Sequence, residues 1–245
     1  MAQIIDGKKI AAKVRGEIAA ECAELAKQGV QPGLAVIIVG DDPASKVYVR
    51  NKKKACEEVG FHSEVYELPE ATTEDELLAL VGRLNNDDRI HGILVQLPLP
   101  RHLNDDIIIA NIDPKKDVDA FHPVNVGKIM IGDYDFLPCT PAGVMVMLKE
   151  CGIDPAGKEC VVVGRSNIVG KPQAMLLLHA NGTVTICHSK TKNLADVTRR
   201  ADILVVAIGK ADFITGDMVK DGAVVVDVGM NRRPDGKLTG DVDFA

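Results

Sequence analysis

The chain has 245 residues, of which 46% are hydrophobic and 26% charged, and it carries a formal net charge of −6 at pH 7. That length suits one large domain or two small ones with a real core. The acidic balance argues against a nucleic-acid or anionic-membrane partner, either of which favours a basic surface, so an anionic ligand has to be met by local positive charge. No stretch approaches the roughly 18 apolar residues of a membrane span. The N-terminal MAQIIDGKKIAAKVRG has no apolar signal core, and a cytoplasmic protein is expected.

The pattern along the chain alternates between helix-like and strand-like segments, which predicts an α/β fold with mainly parallel sheet. Residues 8–28 form an amphipathic helix pattern, with Ile10, Val14, Ile18, Cys22 and Leu25 on one stripe. LAVIIVG (34–40) reads as a buried strand, and Asp42-Pro43 opens a second helix with Pro in its first turn. HSEVYEL (62–68) alternates as a strand does, and Thr73 with Glu76 forms a capping-box pattern ahead of Leu77, Leu80, Val81 and Leu84. IHGILVQ (90–96) is a further strand, stopped by Leu97-Pro98-Leu99-Pro100, and residues 111–123 read as a polar, Asp-rich loop.

At Pro138-Cys139-Thr140-Pro141 the pattern restarts, with Thr140 as the expected cap and Pro141 as the first residue of a helix running to about Cys151. Strands at 160–163, 183–187, 202–208 and 223–228 then alternate with helices near 169–180, 193–200 and 215–220. This predicts two α/β domains, 1–140 and 141–245, the second a Rossmann-like doubly wound parallel sheet. A small-molecule site is expected in a cleft between such domains.

Three groups of residues carry candidate chemistry. The first is Gly164-Arg165-Ser166-Asn167-Ile168-Val169-Gly170-Lys171-Pro172, an apolar strand running into a tight turn and a Pro-opened helix, where free N–H groups can meet a pyrophosphate. Ser166 stands where a GxGxxG pattern has its middle Gly, so an ordinary strand-to-helix turn is the alternative. The strand at 183–187 ends in His188-Ser189-Lys190 with no carboxylate for a ribose 2′-hydroxyl, while Arg165, Ser189 and Lys190 suit a 2′-phosphate; this favours NADP over NAD.

The second group is Tyr48 and Lys52, four apart on one helix face, the one offering a flat ring and the other a proton-transfer group, with a solvated lysine run (Lys52–Lys54) as the alternative. Gln96, at the carboxyl end of its strand, can orient a lysine without locking it in an ion pair. The third is the Asp117/Asp119 loop, where one carboxylate could take the paired N–H donors of a pterin and turn chemistry is the alternative. The six cysteines (Cys22, Cys56, Cys139, Cys151, Cys160 and Cys187) form no CxxC pair and no zinc spacing with histidine, so reduced thiols and no metal site are expected.

Six stretches, in order, resemble the bifunctional methylenetetrahydrofolate dehydrogenase/methenyltetrahydrofolate cyclohydrolase family: Pro43–Cys56, Gly92–Pro100, Lys116–Pro123, Pro138–Pro141, Gly164–Pro172 and Val226–Asn231. The resemblance implies NADP-dependent oxidation of 5,10-methylenetetrahydrofolate, then hydrolysis of the methenyl product to 10-formyltetrahydrofolate. It implies that Tyr48 stacks on the folate, that Lys52 is the catalytic lysine tuned by Gln96, that Leu97 and Pro98 border the substrate and that Asp119 anchors the pterin. Gly164, Arg165, Ser166, Ile168, Gly170, Ser189 and Thr140 are implied at the cofactor, and the family usually works as a homodimer. Ala120 stands where the family usually has Gly, and the family's Pro-Gly-Gly-Val-Gly-Pro-Met-Thr loop and final helix, which return to the first domain, do not occur before Ala245. Two alternatives remain at this point: another two-domain NADP enzyme of the shikimate-dehydrogenase type, which does not account for Val-Gln-Leu-Pro-Leu-Pro or the Asp-Val-Asp loop, and an inactive nucleotide-binding module.

Overall fold

The computed structural model describes residues 3–244, which divide into two compact units at Val126/Gly127. The first unit contains α1 (Gly7–Lys27), β1 (Gly33–Val39), α2 (Pro43–Val59), β2 (His62–Leu68), α3 (Glu74–Asn85), β3 (Gly92–Val95) and α4 (Asp105–Ala110), and α5 (Pro123–Ile131) crosses the division. Its sheet is wholly parallel in the order β2-β1-β3. Successive residues of β1 point to opposite faces. Ala35, Ile37 and Val39 therefore join Leu77, Leu80, Val81 and Leu84 of α3, while Val36 and Ile38 meet Val49 of α2. Each such fully buried aliphatic side chain contributes roughly 2 kcal/mol.

Local chemistry fixes the helix starts. Asp42 accepts from the Ser45 N–H at 2.7 Å with Pro43 in the first turn of α2, and the hydrogen bonds of the Thr73–Glu76 capping box both form. The expected apolar stripe of α1 is only partly covered, because α1 lies on α2: Cys22 is buried, Ile10, Val14 and Ile18 are half-buried, and Leu25 is exposed.

The second unit contains α6 (Cys139–Glu150), β4 (Glu159–Val163), α7 (Gly170–His179), β5 (Thr183–Cys187), α8 (Leu194–Thr198), β6 (Ile203–Val206), a 3₁₀ turn at Gly216–Met218, β7 (Val224–Asp227) and a hairpin of β8 (Asn231–Arg232) and β9 (Leu238–Thr239). The four long strands are parallel in the order β5-β4-β6-β7. One face of this sheet packs on α6 and α7 through Val144, Leu148, Ala174 and Leu177, and the other on Ala201, Ile214 and the α8 side chains Leu194 and Val197.

Some expectations are corrected. Helix α6 begins at Cys139 with Pro138 before it and no side-chain cap, so Thr140 is a first-turn residue instead of the cap. The stretch read as a polar loop leads directly into α5 at Pro123, and α4 just ahead of it was not foreseen. Its N-cap Asn104 accepts from the Asp106 and Ile107 N–H groups, a signal too short to stand out in the sequence. The hairpin β8–β9 was also missed. Among the described residues no helix is long and apolar enough to cross a membrane.

Candidate functional site

In both units the strand order reverses beside the first strand, since β1 and β4 each lead to a neighbour on one side and then to one on the other. Ligands of open parallel sheets collect beyond the carboxyl ends of the strands at that reversal. In the first unit this point is framed by α2, which follows β1, and by Gln96, which follows β3.

There Lys52 Nζ donates to Gln96 Oε1 at 3.0 Å. The Gln96 backbone N–H donates to Ile37 O at 2.8 Å, and its side-chain Nε2 donates to Leu97 O at 2.9 Å. The amide is thereby held with its oxygen toward the lysine. Tyr48 stands one helical turn before Lys52 and is 41% exposed. Leu97 is half-buried and Pro98, which follows a cis peptide bond, is exposed.

The two aspartates of the Asp-Val-Asp loop have separate environments. Asp117 is 2% exposed; its Oδ2 accepts from the His122 N–H at 2.8 Å and from Asn125 Nδ2 at 2.9 Å, and Asn125 also donates to Pro114 O. Its acceptor capacity serves the entry to α5. Asp119 is half-buried, and burial raises its carboxyl above the ordinary value, with Lys52 opposing the shift and Asp117 adding to it. The loop rides on β3: Ile93 N–H donates to Lys116 O at 2.7 Å, Asp117 bridges to Ile93, and a Cβ on Gly92 would lie 2.5 Å from Val118 Cγ1. This brings Lys52, Gln96 and Asp119 to one end of one sheet. Ala120, buried at 1% exposure, takes φ 55°, the left-handed region where glycine has no steric cost. That accounts for a Gly at this place in the family pattern and shows that the turn also forms with a methyl group.

In the second unit the reversal lies between β4 and β6. Gly164 has φ 134°, and a Cβ there would lie 2.3 Å from Ala207 O in the loop after β6. A Cβ on Gly170 would lie 2.3 Å from Gly164 O. Both glycines are therefore demanded by the turn itself. Ser166 Oγ accepts from the Val169 and Gly170 N–H groups at 3.1 and 3.2 Å, so it substitutes for a cap at the start of α7. Among the described residues no protein acceptor meets the N–H groups of Arg165, Ser166, Asn167 and Ile168, and the side chains of Arg165 and Ile168 are exposed. Beyond β5, Ser189 and Lys190 are exposed on a turn pinned by His188 N–H to Thr191 Oγ1 at 2.8 Å. A close-approach glycine cradle, open backbone donors and local cations without a carboxylate fit a dinucleotide bearing a 2′-phosphate. Thr140 is exposed on the first turn of α6. Among the described residues no group of three His, Cys, Asp or Glu could hold a metal ion.

A doubly wound sheet with such a loop at its reversal places the chain among the dinucleotide-dependent enzymes. The family model for the tetrahydrofolate dehydrogenase/cyclohydrolase catalytic domain matches residues 5–119, and that for its NAD(P)-binding domain matches residues 138–245. The bifunctional protein FolD of Acetivibrio thermocellus is 62% identical over 243 residues, 99% of this chain and 85% of that protein. FolD of Ruminiclostridium cellulolyticum is 62% identical over 244 residues, 100% of this chain and 86% of that one. The crystal structure of the bifunctional FolD methylenetetrahydrofolate dehydrogenase/cyclohydrolase from Campylobacter jejuni superposes with a TM-score of 0.97 at 52% identity, covering 99% of this chain and 86% of that one. A Trypanosoma brucei FolD complexed with NADP cofactor and inhibitor gives a TM-score of 0.94 at 40% identity, covering 99% of this chain and 86% of that one.

The chain belongs to the tetrahydrofolate dehydrogenase/cyclohydrolase family. It has both activities, NADP-dependent oxidation of 5,10-methylenetetrahydrofolate and hydrolysis of the methenyl product to 10-formyltetrahydrofolate.

Proposed function

We propose that Lys52, Gln96, Tyr48 and Asp119 bind and convert the folate, with Leu97 and Pro98 bordering it, and that Gly164, Arg165, Ser166, Ile168, Gly170, Ser189 and Thr140 hold NADP. The hydrogen bond from Lys52 to Gln96 at 3.0 Å carries the reading, because it joins a proton-transfer group to a neutral orienting amide at the carboxyl end of a parallel sheet. NADP, when bound, supplies the hydride acceptor. The substrate's own nitrogen lone pair stabilises the methenyl cation left behind, so the protein needs no strong base for that step.

Hydrolysis is different. The oxygen of water bonds to the methenyl carbon, one carbon–nitrogen bond of the ring breaks, one proton of the former water passes to the freed nitrogen, and its other proton is released to solvent, which discharges the positive charge of the cation. Lys52 Nζ serves that proton transfer, and Gln96 fixes where the amine stands. Asp119 takes the paired N–H donors of the pterin, and because burial disfavours its charge, a ligand bringing hydrogen-bond donors is favoured there. The open N–H groups of Arg165–Ile168 receive the pyrophosphate, and Arg165 and Ser189 the 2′-phosphate.

We assign the folate-binding domain to residues 1–140 and the NADP-binding domain to 141–245, and take the protein to be a cytoplasmic homodimer, in line with the family resemblance. Replacing Lys52→Met tests the central role. Hydrolysis of added methenyltetrahydrofolate should be abolished while the fold, followed by circular dichroism, is kept; full hydrolysis would exclude Lys52 as the proton-transfer group.

A further inference from the structure

The loop after β6, Ala207–Lys210, forms one wall of the β4–β6 crevice, since Ala207 O is the atom that a side chain at Gly164 would strike. What holds this loop comes from far along the chain. Asp241 is fully buried, and its Oδ2 accepts from the Ile208 and Gly209 N–H groups at 2.6 and 3.0 Å. Its Oδ1 accepts from the Lys210 N–H at 2.8 Å and from Asn231 Nδ2 at 2.8 Å. Three successive backbone N–H groups converging on one acceptor form the kind of concave donor array that elsewhere binds an anion. Here the array is occupied from within.

The carboxylate is itself fixed at the main chain. Asp241 N–H donates to Asp227 Oδ1 at 3.0 Å and Val242 N–H to Asp227 Oδ2 at 2.9 Å, while Phe213 and Ile214 N–H groups donate to Asp241 O. Side chains are excluded on both sides, because a Cβ on Gly229 would lie 2.2 Å from Asp241 Cγ and one on Gly240 would lie 1.7 Å from Asp227 Oδ2. Asp227 ends β7, so the whole assembly is anchored to the sheet. Among the described residues no Lys or Arg side chain contacts the Asp241 carboxylate, whose partners are backbone N–H groups and one amide. A carboxylate satisfied this way has one geometry, set by the loop it holds.

We infer that Asp241 is a positioning residue for the dinucleotide: its carboxylate draws the 208–210 N–H groups inward and sets the loop that walls the crevice opposite Gly164–Ile168. The inference rests on the placement of NADP at the β4–β6 crevice. It also divides the backbone donors at this end of the sheet into those engaged by Asp241 and those left open for phosphate.

Replacement by asparagine tests it. The amide keeps the shape but offers one acceptor oxygen, and its NH₂ faces N–H groups, so at least two of the four bonds are lost. A loop thereby competent about a tenth of the time raises the apparent NADP constant about tenfold. In Asp241→Asn without cofactor, amide hydrogen exchange at 208–210 should speed up at least tenfold, and KM for NADP should rise about tenfold. Hydrolysis of added methenyltetrahydrofolate, which draws on Lys52 and Gln96 in the other unit, should stay within about twofold of the parent. Asn231→Ala, a milder change, should move exchange and KM the same way by less. Exchange and KM at parent values in Asp241→Asn would overturn the inference, as would loss of hydrolysis in step with dehydrogenation, which marks a residue needed only for folding. Arg165→Gln separates the two levels. If it raises KM for NADP while Asp241→Asn does not, only the role of Asp241 is wrong; if Arg165→Gln is silent, the cofactor placement fails and the role of Asp241 falls with it.

Discussion

The side chain of Gln96 spans two fixed points, donating to Leu97 O at 2.9 Å and accepting from Lys52 Nζ at 3.0 Å. Gln96→Leu removes the acceptor of a half-buried ammonium. A hydrogen bond to a charged group is worth about 1.5–3 kcal/mol, and partial solvation places this one near the lower end. Hydrolysis of added methenyltetrahydrofolate should therefore fall roughly tenfold. Gln96→Glu is the sharper perturbation. It sets a carboxylate oxygen against the Leu97 carbonyl, where no proton remains to join two acceptors, and opposite a lysine at 3.0 Å. An ion pair at that distance is worth between about 1.4 and about 5.5 kcal/mol for effective dielectric constants from 80 to 20. Held in that pair, the ammonium is a poor proton carrier, so hydrolysis should fall further than in Gln96→Leu. Dehydrogenation, which needs no strong base, should fall less in both. The assay follows loss of the methenyl chromophore for hydrolysis and formation of reduced cofactor for oxidation, on the same preparations. Hydrolysis within twofold of the parent in Gln96→Leu, or Gln96→Glu as active as the parent, would refute the claim that this amide sets the lysine.

Three further outcomes follow from the same unit. Burial raises the Asp119 carboxyl above its ordinary value of 3.8, so the folded state binds the proton more tightly than the unfolded chain does. The stability tied to this proton is present below pH 3.8 and is lost as pH rises through the raised value. Asp119→Asn should therefore weaken folate binding yet increase resistance to urea at pH 7, with the gain shrinking toward pH 4; a variant less stable than the parent at pH 7 would contradict this. Asp117→Ala removes the acceptor of the His122 N–H and one of the two acceptors of Asn125 Nδ2, which keeps Pro114 O, in a buried site, and should cost about 2–4 kcal/mol in urea unfolding. A loss under about 0.5 kcal/mol would mean that the loop rearranges freely. Gly92→Ala drives a methyl group to 2.5 Å from Val118 Cγ1, so Val118 must leave its rotamer or shift the Asp-Val-Asp loop against β3; KM for the folate should rise several-fold while that for NADP holds, and an unchanged folate KM would show that the seating of Val118 does not govern binding.

The sequence by itself determined what short-range chemistry controls. The capping box at Thr73–Glu76 and the Asp42 cap before Pro43 complete their hydrogen bonds within one turn, so the residue types suffice to place the starts of α3 and α2. Continuous apolar runs such as Cys160–Val163 announce strands covered on both faces, and the spacing of Tyr48 and Lys52 fixes their common helix face. Where caps were weak or elements short, as at Asn104 and in the β8–β9 hairpin, the same signals did not stand out. Tertiary structure alone decided the rest. Two aspartates two residues apart look alike as letters, and only Asn125 and the His122 N–H make Asp117 a structural acceptor while Asp119 stays available. Asp241 carries no local mark at all: its partners at 208–210 lie more than thirty residues away, brought close by the parallel pairing of β6 with β7. Pairing of that kind depends on which strands are neighbours in space, a free energy summed over the whole sheet, and no window of sequence contains it.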